Sequence, residues 1–146
     1  MIITRIWDYR LLPYLPDLQL KGQWRECALI ADALAKNGTP NHLLVNRVTE
    51  YPIDEFYTYC ISVWDEMKKR GFSASLQSCE KISALDGKIV NPSSLFNGWH
   101  NLEYLRICYA NLLEKHNGIG KSRITDAEWE TLCRGYKEIT GEEYEI

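Results

Sequence analysis

The stretch 20–26, which reads LKGQWRE, lies in the middle of a helical pattern that runs from about residue 16 to residue 36. Pro16 suits the first turn of a helix, and the Asn-Gly pair that follows Lys36 suits its end. The apolar residues of this pattern recur at helical spacing and form one stripe: Leu20, Trp24, Cys27, Ala31 and Leu34. We therefore predict a long helix that packs into a core by this stripe.

Three further helices follow the same kind of pattern, over about 53–70, about 100–116, and from a capping box that begins at Thr125 to a stop at Gly141. The apolar segment 43–48 is short, and a loop is as consistent with it as a strand. The connection 73–98 is long for a compact domain, which suggests that it covers a functional surface. The sequence predicts one all-α domain, residues 1–146, with about four helices and long loops.

Composition narrows the class of protein. The five cysteines are scattered without the spacing of a zinc site or of a disulfide framework, so we expect packed, free thiols. No apolar run approaches the roughly 20 residues that span a bilayer. We expect a cytoplasmic, monomeric protein with no membrane segment, no metal and no cofactor. The net charge of −3 counts against nucleic-acid binding unless basic residues gather on one face.

Polar residues gather on one side of the first helix. At about 100° per residue, Gly22, Gln23 and Glu26 share a face with Gln19, roughly opposite Trp24. A mid-helix glycine costs about 1 kcal/mol relative to alanine, so Gly22 suits a place where a backbone or a ligand comes close. The simpler alternative is a solvated polar face with one tolerated glycine, because polar helix faces are usually exposed to solvent.

Histidines and tryptophans give weaker signals. The three histidines lack metal-site spacing, and His100 suits either a cleft or a polar position at a helix start. Tryptophans on the apolar stripes are expected in the core, whereas Trp7 and Trp99 lie outside the stripes and are candidates for facing a ligand.

Four short motifs follow one another in the chain: Thr4-Arg5-Ile6; residues 20–26; residues 67–72; and His100 followed by Ala110, Leu112, Glu114 and Lys115. With these motifs, which lie within residues 4–116, the chain resembles the pyrimidine-dimer DNA glycosylase (endonuclease V-like) superfamily and looks close to a set of its bacterial members. Each motif is short, and their combination in this order is what is specific. The resemblance implies a single, mainly helical domain.

The resemblance also implies a chemistry and a substrate, namely damaged double-stranded DNA with a pyrimidine dimer or an abasic site. An N-terminal α-amine attacks the sugar C1′, the base leaves, and β-elimination nicks the strand. Glu26 would stabilise the cationic sugar and move protons. Arg25 and Arg5 would hold phosphates, and Lys115 falls at a further basic position. Gly22, Gln23 and His100 would line the DNA-binding cleft.

Four departures from the family pattern bear on this expectation. Met1-Ile2-Ile3 precede Thr4, the residue whose amine the family exposes, so the nucleophile is the amine of Met1 or of Thr4. Leu29 and Asn111 stand where the family has arginines, and the chain is acidic. Two alternatives stay open: a DNA- or nucleotide-binding module of the same fold without glycosylase activity, and a helical interaction protein that is not an enzyme.

Overall fold

The computed structural model describes residues 6–37, 47–118 and 123–145. Within these ranges the chain forms helices and no strand, which confirms the all-α prediction. The segment 43–48 lies almost entirely outside the described residues, as do Met1, Thr4, Arg5 and His42. The elements are a 3-10 helix over Tyr9–Tyr14 and the α-helices α1 (Asp17–Asn37), α2 (Ile53–Lys69), α3 (Leu76–Ser83), α4 (Leu102–His116) and α5 (Asp126–Thr140).

Local capping explains where the long helices begin and end. Helix α5 begins with the predicted capping box, in which the Thr125 hydroxyl accepts from the N–H of Glu128 and the Glu128 carboxylate accepts from the N–H of Thr125. Helix α2 ends at Lys69 with Arg70 as its C-cap, and the φ of 80° at Gly71 lets the chain turn away from the helix axis. Helix α4 starts two residues later than predicted, because the Asn101 side chain caps it.

The long connection between α2 and α4 contains an element that the sequence analysis missed. Helix α3 has only eight residues, with the Ser75 side chain as its cap and Ile82 as its buried residue. It packs across α1, and the indole Nε1 of Trp24 on α1 donates to the Ser78 hydroxyl at 2.9 Å. The connection therefore covers one side of the first helix.

Helix α1 packs between α2 and α3, the 3-10 helix packs on α2 and α5, and α4 packs on α5. The largest fully buried side chains are aromatic: Tyr59, Tyr109, Phe56 and Phe96. Cys27, Cys60 and Cys108 are buried as free thiols in this core. No helix in the described ranges has the length and apolar character that crossing a membrane requires.

Arg70 fixes the 3-10 helix to the end of α2. Its guanidinium donates to the backbone carbonyls of Leu12, Pro13 and Leu15, at 2.6 to 3.3 Å, and also binds the Glu66 carboxylate at 3.0 Å. These carbonyls are at the end of a short helix and have few partners within it, so the arginine satisfies them. The start of α1 is thereby held in one position relative to α2.

Candidate active site

The backbone of Ile6 and Trp7 is held by side chains from three helices. The Tyr104 hydroxyl on α4 donates to the Ile6 carbonyl, and the Tyr59 hydroxyl on α2 donates to the Trp7 carbonyl at 2.7 Å. The Trp7 N–H donates to Oε1 of Gln23 on α1 at 2.8 Å. Both residues are buried, at 0% and 8% exposure, so each bond is shielded from water. We call Ile6 and Trp7, with these three bonds, the clamped segment.

A buried ion pair anchors the chain just after the clamped segment. The Asp8 carboxylate is fully buried and accepts from the guanidinium of Arg10 at 2.9 Å and from its N–H at 3.0 Å. The carboxylate also raises the pKa of Arg10, which keeps the guanidinium charged. Arg10 in turn donates to the carbonyl of Asn101 at 3.1 Å. The carboxylate is thus compensated, and the start of the 3-10 helix is tied to the start of α4.

The predicted polar face of α1 is where the clamped segment packs. Gln19 and Gln23 are buried, at 7% and 2% exposure, so the interpretation as a solvated face is wrong. Gly22 and Glu26 are half-buried on the same side. Glu26 lies three residues beyond Gln23, about 4.5 Å further along the helix axis, and neighbours it on the helix surface. The N-terminal part of the chain therefore reaches α1 on the side that carries Glu26.

Arg25 and Glu26 point to different surroundings, as adjacent helix residues do. Arg25 is exposed and lines a cavity of about 430 Å³ between α1 and α3. A Cβ atom added to Gly22 would meet, among the described residues, only the guanidinium of Arg25 at 3.6 Å. The close backbone approach considered for Gly22 is therefore not found in the described part of the chain.

His100 lies in the core, which differs from the predicted position in a DNA-binding cleft. It is 6% exposed, and its Nδ1 accepts from the N–H of Tyr9 at 3.1 Å. Its ring stacks on Tyr104 at 4.9 Å and contacts Phe96 and Trp99. Burial lowers its pKa well below the usual value, and the Arg10 and Arg47 guanidiniums act in the same direction. His100 is a neutral packing residue that supports the 3-10 helix.

Other predicted residues fall in different places. Trp7 and Trp99, which the sequence made candidates for facing a ligand, are each 8% exposed and belong to the buried core. Lys115 is half-buried in the last turn of α4, and its carbonyl accepts from the Ile124 N–H at 3.2 Å. That helix packs chiefly on α5, whereas Glu26 and Arg25 lie on α1. Within the described ranges, no group of three or more His, Cys, Asp or Glu side chains is placed to hold a metal ion.

Sequence reasoning missed the hydroxyls of Tyr59 and Tyr104. Tyr59 lies at an apolar-stripe position of α2. A buried tyrosine needs a partner for its hydroxyl, and this need is the one signal that the sequence offers. The partner cannot be identified from the sequence, because these tyrosines bond to backbone atoms 52 and 98 residues away.

A protein-family model described as pyrimidine dimer DNA glycosylase matches residues 4–78, about half of the chain. The matched part includes the clamped segment, α1 and α2, and it ends in α3. No curated protein and no solved structure matches the chain at a significant level.

Proposed function

The chain belongs to the pyrimidine dimer DNA glycosylase family, and from that premise we propose that it is a DNA-repair glycosylase with AP lyase activity. Its substrate is double-stranded DNA that carries a damaged pyrimidine or an abasic site. It works without a cofactor, because an amine and a carboxylate supply the nucleophile and the proton transfers.

The proposed nucleophile is the amine at the chain's N-terminus. An α-amine has a pKa near 8, so part of it is neutral at pH 7. The neutral amine attacks C1′, the C1′–N bond breaks, and its electron pair leaves with the base, which takes up a proton. The sugar ring opens with a proton moving to O4′, which gives an iminium. Loss of a C2′ proton expels the 3′ phosphate, and water then hydrolyses the imine and restores the amine.

In this proposal Glu26 stabilises the cationic sugar and exchanges protons with it. A half-buried carboxylate interacts more strongly with a cation than a solvated one, because the surrounding dielectric is lower. Arg25, on the exposed side of the same turn, binds a DNA phosphate, as do Arg5 and Lys115. Gln23 and His100 act through the chain that they hold rather than on DNA.

The observation that carries the proposal is the 2.8 Å bond from the Trp7 N–H to Gln23, one turn before Glu26. Residue 1 lies six residues before Trp7 in the sequence, and an extended chain of that length spans about 20 Å at most. Glu26 lies well inside this range of Trp7. An amine at residue 1 can therefore reach Glu26, which supports the proposal.

Borohydride trapping tests the proposal. The protein is incubated with an abasic-site duplex and with an ultraviolet-irradiated duplex, and borohydride reduces any imine to a stable adduct. We expect a covalent adduct that maps by mass spectrometry to the first residue of the chain and is lost when that amine is blocked. Turnover is expected to be lost in Glu26→Gln and kept in Glu130→Gln, an exposed glutamate on α5.

Mapping of the adduct also separates the two candidate amines. A chain that keeps Met1 forms the adduct there, and a variant without residues 1–3 exposes the Thr4 amine for comparison. An adduct on a lysine side chain contradicts the proposed nucleophile. Absence of any adduct, together with specific binding to the damaged duplex, favours the alternative of a DNA-binding module without glycosylase activity.

A further inference from the structure

The cavity beside Arg25 has the composition of an anion site. It lies between α1 and α3, has a volume of about 430 Å³, and has an apolar floor that includes Trp24 and Met67. Its lining residues include three cations, Lys21, Arg25 and Lys81, and no carboxylate. Within the described ranges none of the three is in an ion pair. Three positively charged side chains around one cavity favour the binding of a negatively charged ligand.

The cavity is held in shape by contacts across it. The indole of Trp24 on α1 donates to the Ser78 hydroxyl of α3 at 2.9 Å, which fixes the spacing of the two helices. The ammonium of Lys21 lies 4.1 Å from the centre of the Phe72 ring, so an aromatic face orients this side chain. Two walls and one cation are therefore positioned before any ligand binds, which lowers the entropic cost of binding.

The positive charge of Lys81 is available to a ligand in the cavity although an aspartate lies near it. Asp32 is the nearby group, and its carboxylate bonds the Lys36 ammonium at 2.9 Å. That bond lowers the pKa of Asp32 most, and Lys81 contributes a smaller effect in the same direction. Because Lys36 already pairs with the carboxylate, the charge of Lys81 is only partly compensated.

The acidity of the chain is concentrated in α5 and the residues that follow it. Residues 126–146 hold seven of the 20 acidic residues and two of the 17 basic ones, so their net charge is −5. The rest of the chain carries +2. Helix α5 packs on α4 and on the 3-10 helix, whereas the cavity is formed by α1 and α3. A polyanion is therefore repelled by the acidic residues of this segment and attracted to the basic residues of the cavity.

We propose that this cavity is a DNA subsite that takes a phosphodiester group of the strand bound at Arg25, with Lys21 and Lys81 as its further ligands. The subsite rests on the proposed function, since DNA is its source of phosphate. It extends the DNA interface from α1 onto α3, and Lys81 lies beyond the part of the chain that the family model matches. The apolar floor lowers the local dielectric, which strengthens each contact with the phosphate.

The salt dependence of binding tests the subsite. The probe is a duplex with a tetrahydrofuran abasic analogue, which binds without forming an imine, and its dissociation constant is measured over a range of salt concentrations. Each phosphate contact contributes about 0.9 to the slope of log K against log salt. Because the subsite holds one phosphate, we expect Lys21→Gln and Lys81→Gln each to lower the slope by part of that amount, and the double variant by up to that amount.

Lys137→Gln is the matched control, because it removes the same charge from the exposed surface of α5, where Lys137 pairs with Glu143 at 2.9 Å. Slopes of the cavity variants equal to that of the control overturn the subsite. Borohydride trapping of the unmodified protein distinguishes the two proposals. Trapping with unchanged slopes overturns the subsite alone, whereas lowered slopes without trapping support the subsite and contradict the catalytic proposal.

Discussion

The N–H of Trp7 donates to Oε1 of Gln23 across 16 residues of sequence, and both residues are almost fully buried. This bond joins the part of the chain nearest the N-terminus to the face of α1 that carries Glu26. The carbonyls of Ile6 and Trp7 flank this N–H. They accept hydrogen bonds from the hydroxyls of two tyrosines, Tyr104 and Tyr59. Consecutive backbone groups are thus satisfied by side chains, as a buried segment outside the helices requires.

Replacing Gln23 by methionine tests this bond. Methionine has a similar length but accepts hydrogen bonds weakly, so the buried Trp7 N–H loses its partner. We expect the free energy of unfolding in urea to fall by about 1–3 kcal/mol. The yield of the borohydride adduct should also fall, because the N-terminal amine is less restricted. Gln77→Met, at an exposed position of α3, is the control and should change neither; equal stability of the two variants would contradict the bond's role.

Tyr104→Phe separates positioning from stability. Burial raises the pKa of the Tyr104 hydroxyl, so it stays a proton donor to Ile6 at any working pH. Its loss should cost about 1 kcal/mol of unfolding free energy. Tyr109→Phe removes an equivalent bond, from a buried hydroxyl to the Leu132 carbonyl at 2.6 Å, in the interface of α4 and α5. The two variants should lose similar stability.

Only Tyr104→Phe is expected to slow imine formation. Single-turnover trapping at saturating duplex measures this rate, which should fall with little change in the dissociation constant for DNA. If Tyr109→Phe slows trapping equally, the effect is one of general stability, and Tyr104 has no positioning role.

The neutral state of His100 makes stability depend on pH. In the folded protein its pKa is well below 6.5 because of burial, while in the unfolded chain it takes up a proton near pH 6.5. The unfolded state therefore binds more protons below about pH 6.5, and stability is lost as the pH falls through this value. The full contribution is present above it. This residue alone should give a slope of up to about 1.4 kcal/mol per pH unit.

His100→Asn provides the comparison for this slope. The asparagine carbonyl can accept from the Tyr9 N–H but does not titrate. Urea unfolding between pH 7.5 and pH 5 should show a smaller loss of stability in the variant than in the unmodified protein. Identical slopes would mean that His100 takes up its proton at the same pH in the folded protein as in the unfolded chain.

The sequence predicted the long helices because their signals are local. Periodic apolar residues and the caps at Thr125 and Gly71 place α2 and α5 within two residues of the observed ends. The 3-10 helix and α3 were missed because they are short, and α3 has Ile82 as its buried residue. In α4, Leu102 stands at an apolar position of the helical pattern, yet it is 42% exposed, whereas Leu105 is fully buried.

The candidate site was only partly predictable for a related reason. Glu26, Gly22 and Gln23 share a helix face by spacing alone, so their proximity could be read from the sequence. The bonds that hold Trp7 on this face depend on partners 16 and 52 residues away, which no local pattern reveals. The sequence alone therefore does not show whether this face of α1 is exposed to solvent or covered by the chain, and only the fold answers this.

Two glycines should respond in opposite ways to alanine. At Gly135 a Cβ would lie 2.4 Å from the Tyr14 ring, so α5 or the 3-10 helix must shift, and we expect a loss of about 1–3 kcal/mol in unfolding free energy. At Gly22 the nearest described atom is 3.6 Å away, so alanine should fit and stabilise α1 by up to about 1 kcal/mol. Urea unfolding measures both changes.

Gly22→Ala should nevertheless reduce trapping. In the proposed reaction the N-terminal amine and the deoxyribose meet beside Glu26, one turn from Gly22 on the same face, and a methyl group there narrows the space between them. A variant that is more stable and forms the borohydride adduct more slowly would show that the glycine is needed for the reaction. A variant that is more stable and equally active would show that Gly22 is a tolerated glycine and that the reacting groups do not approach this position.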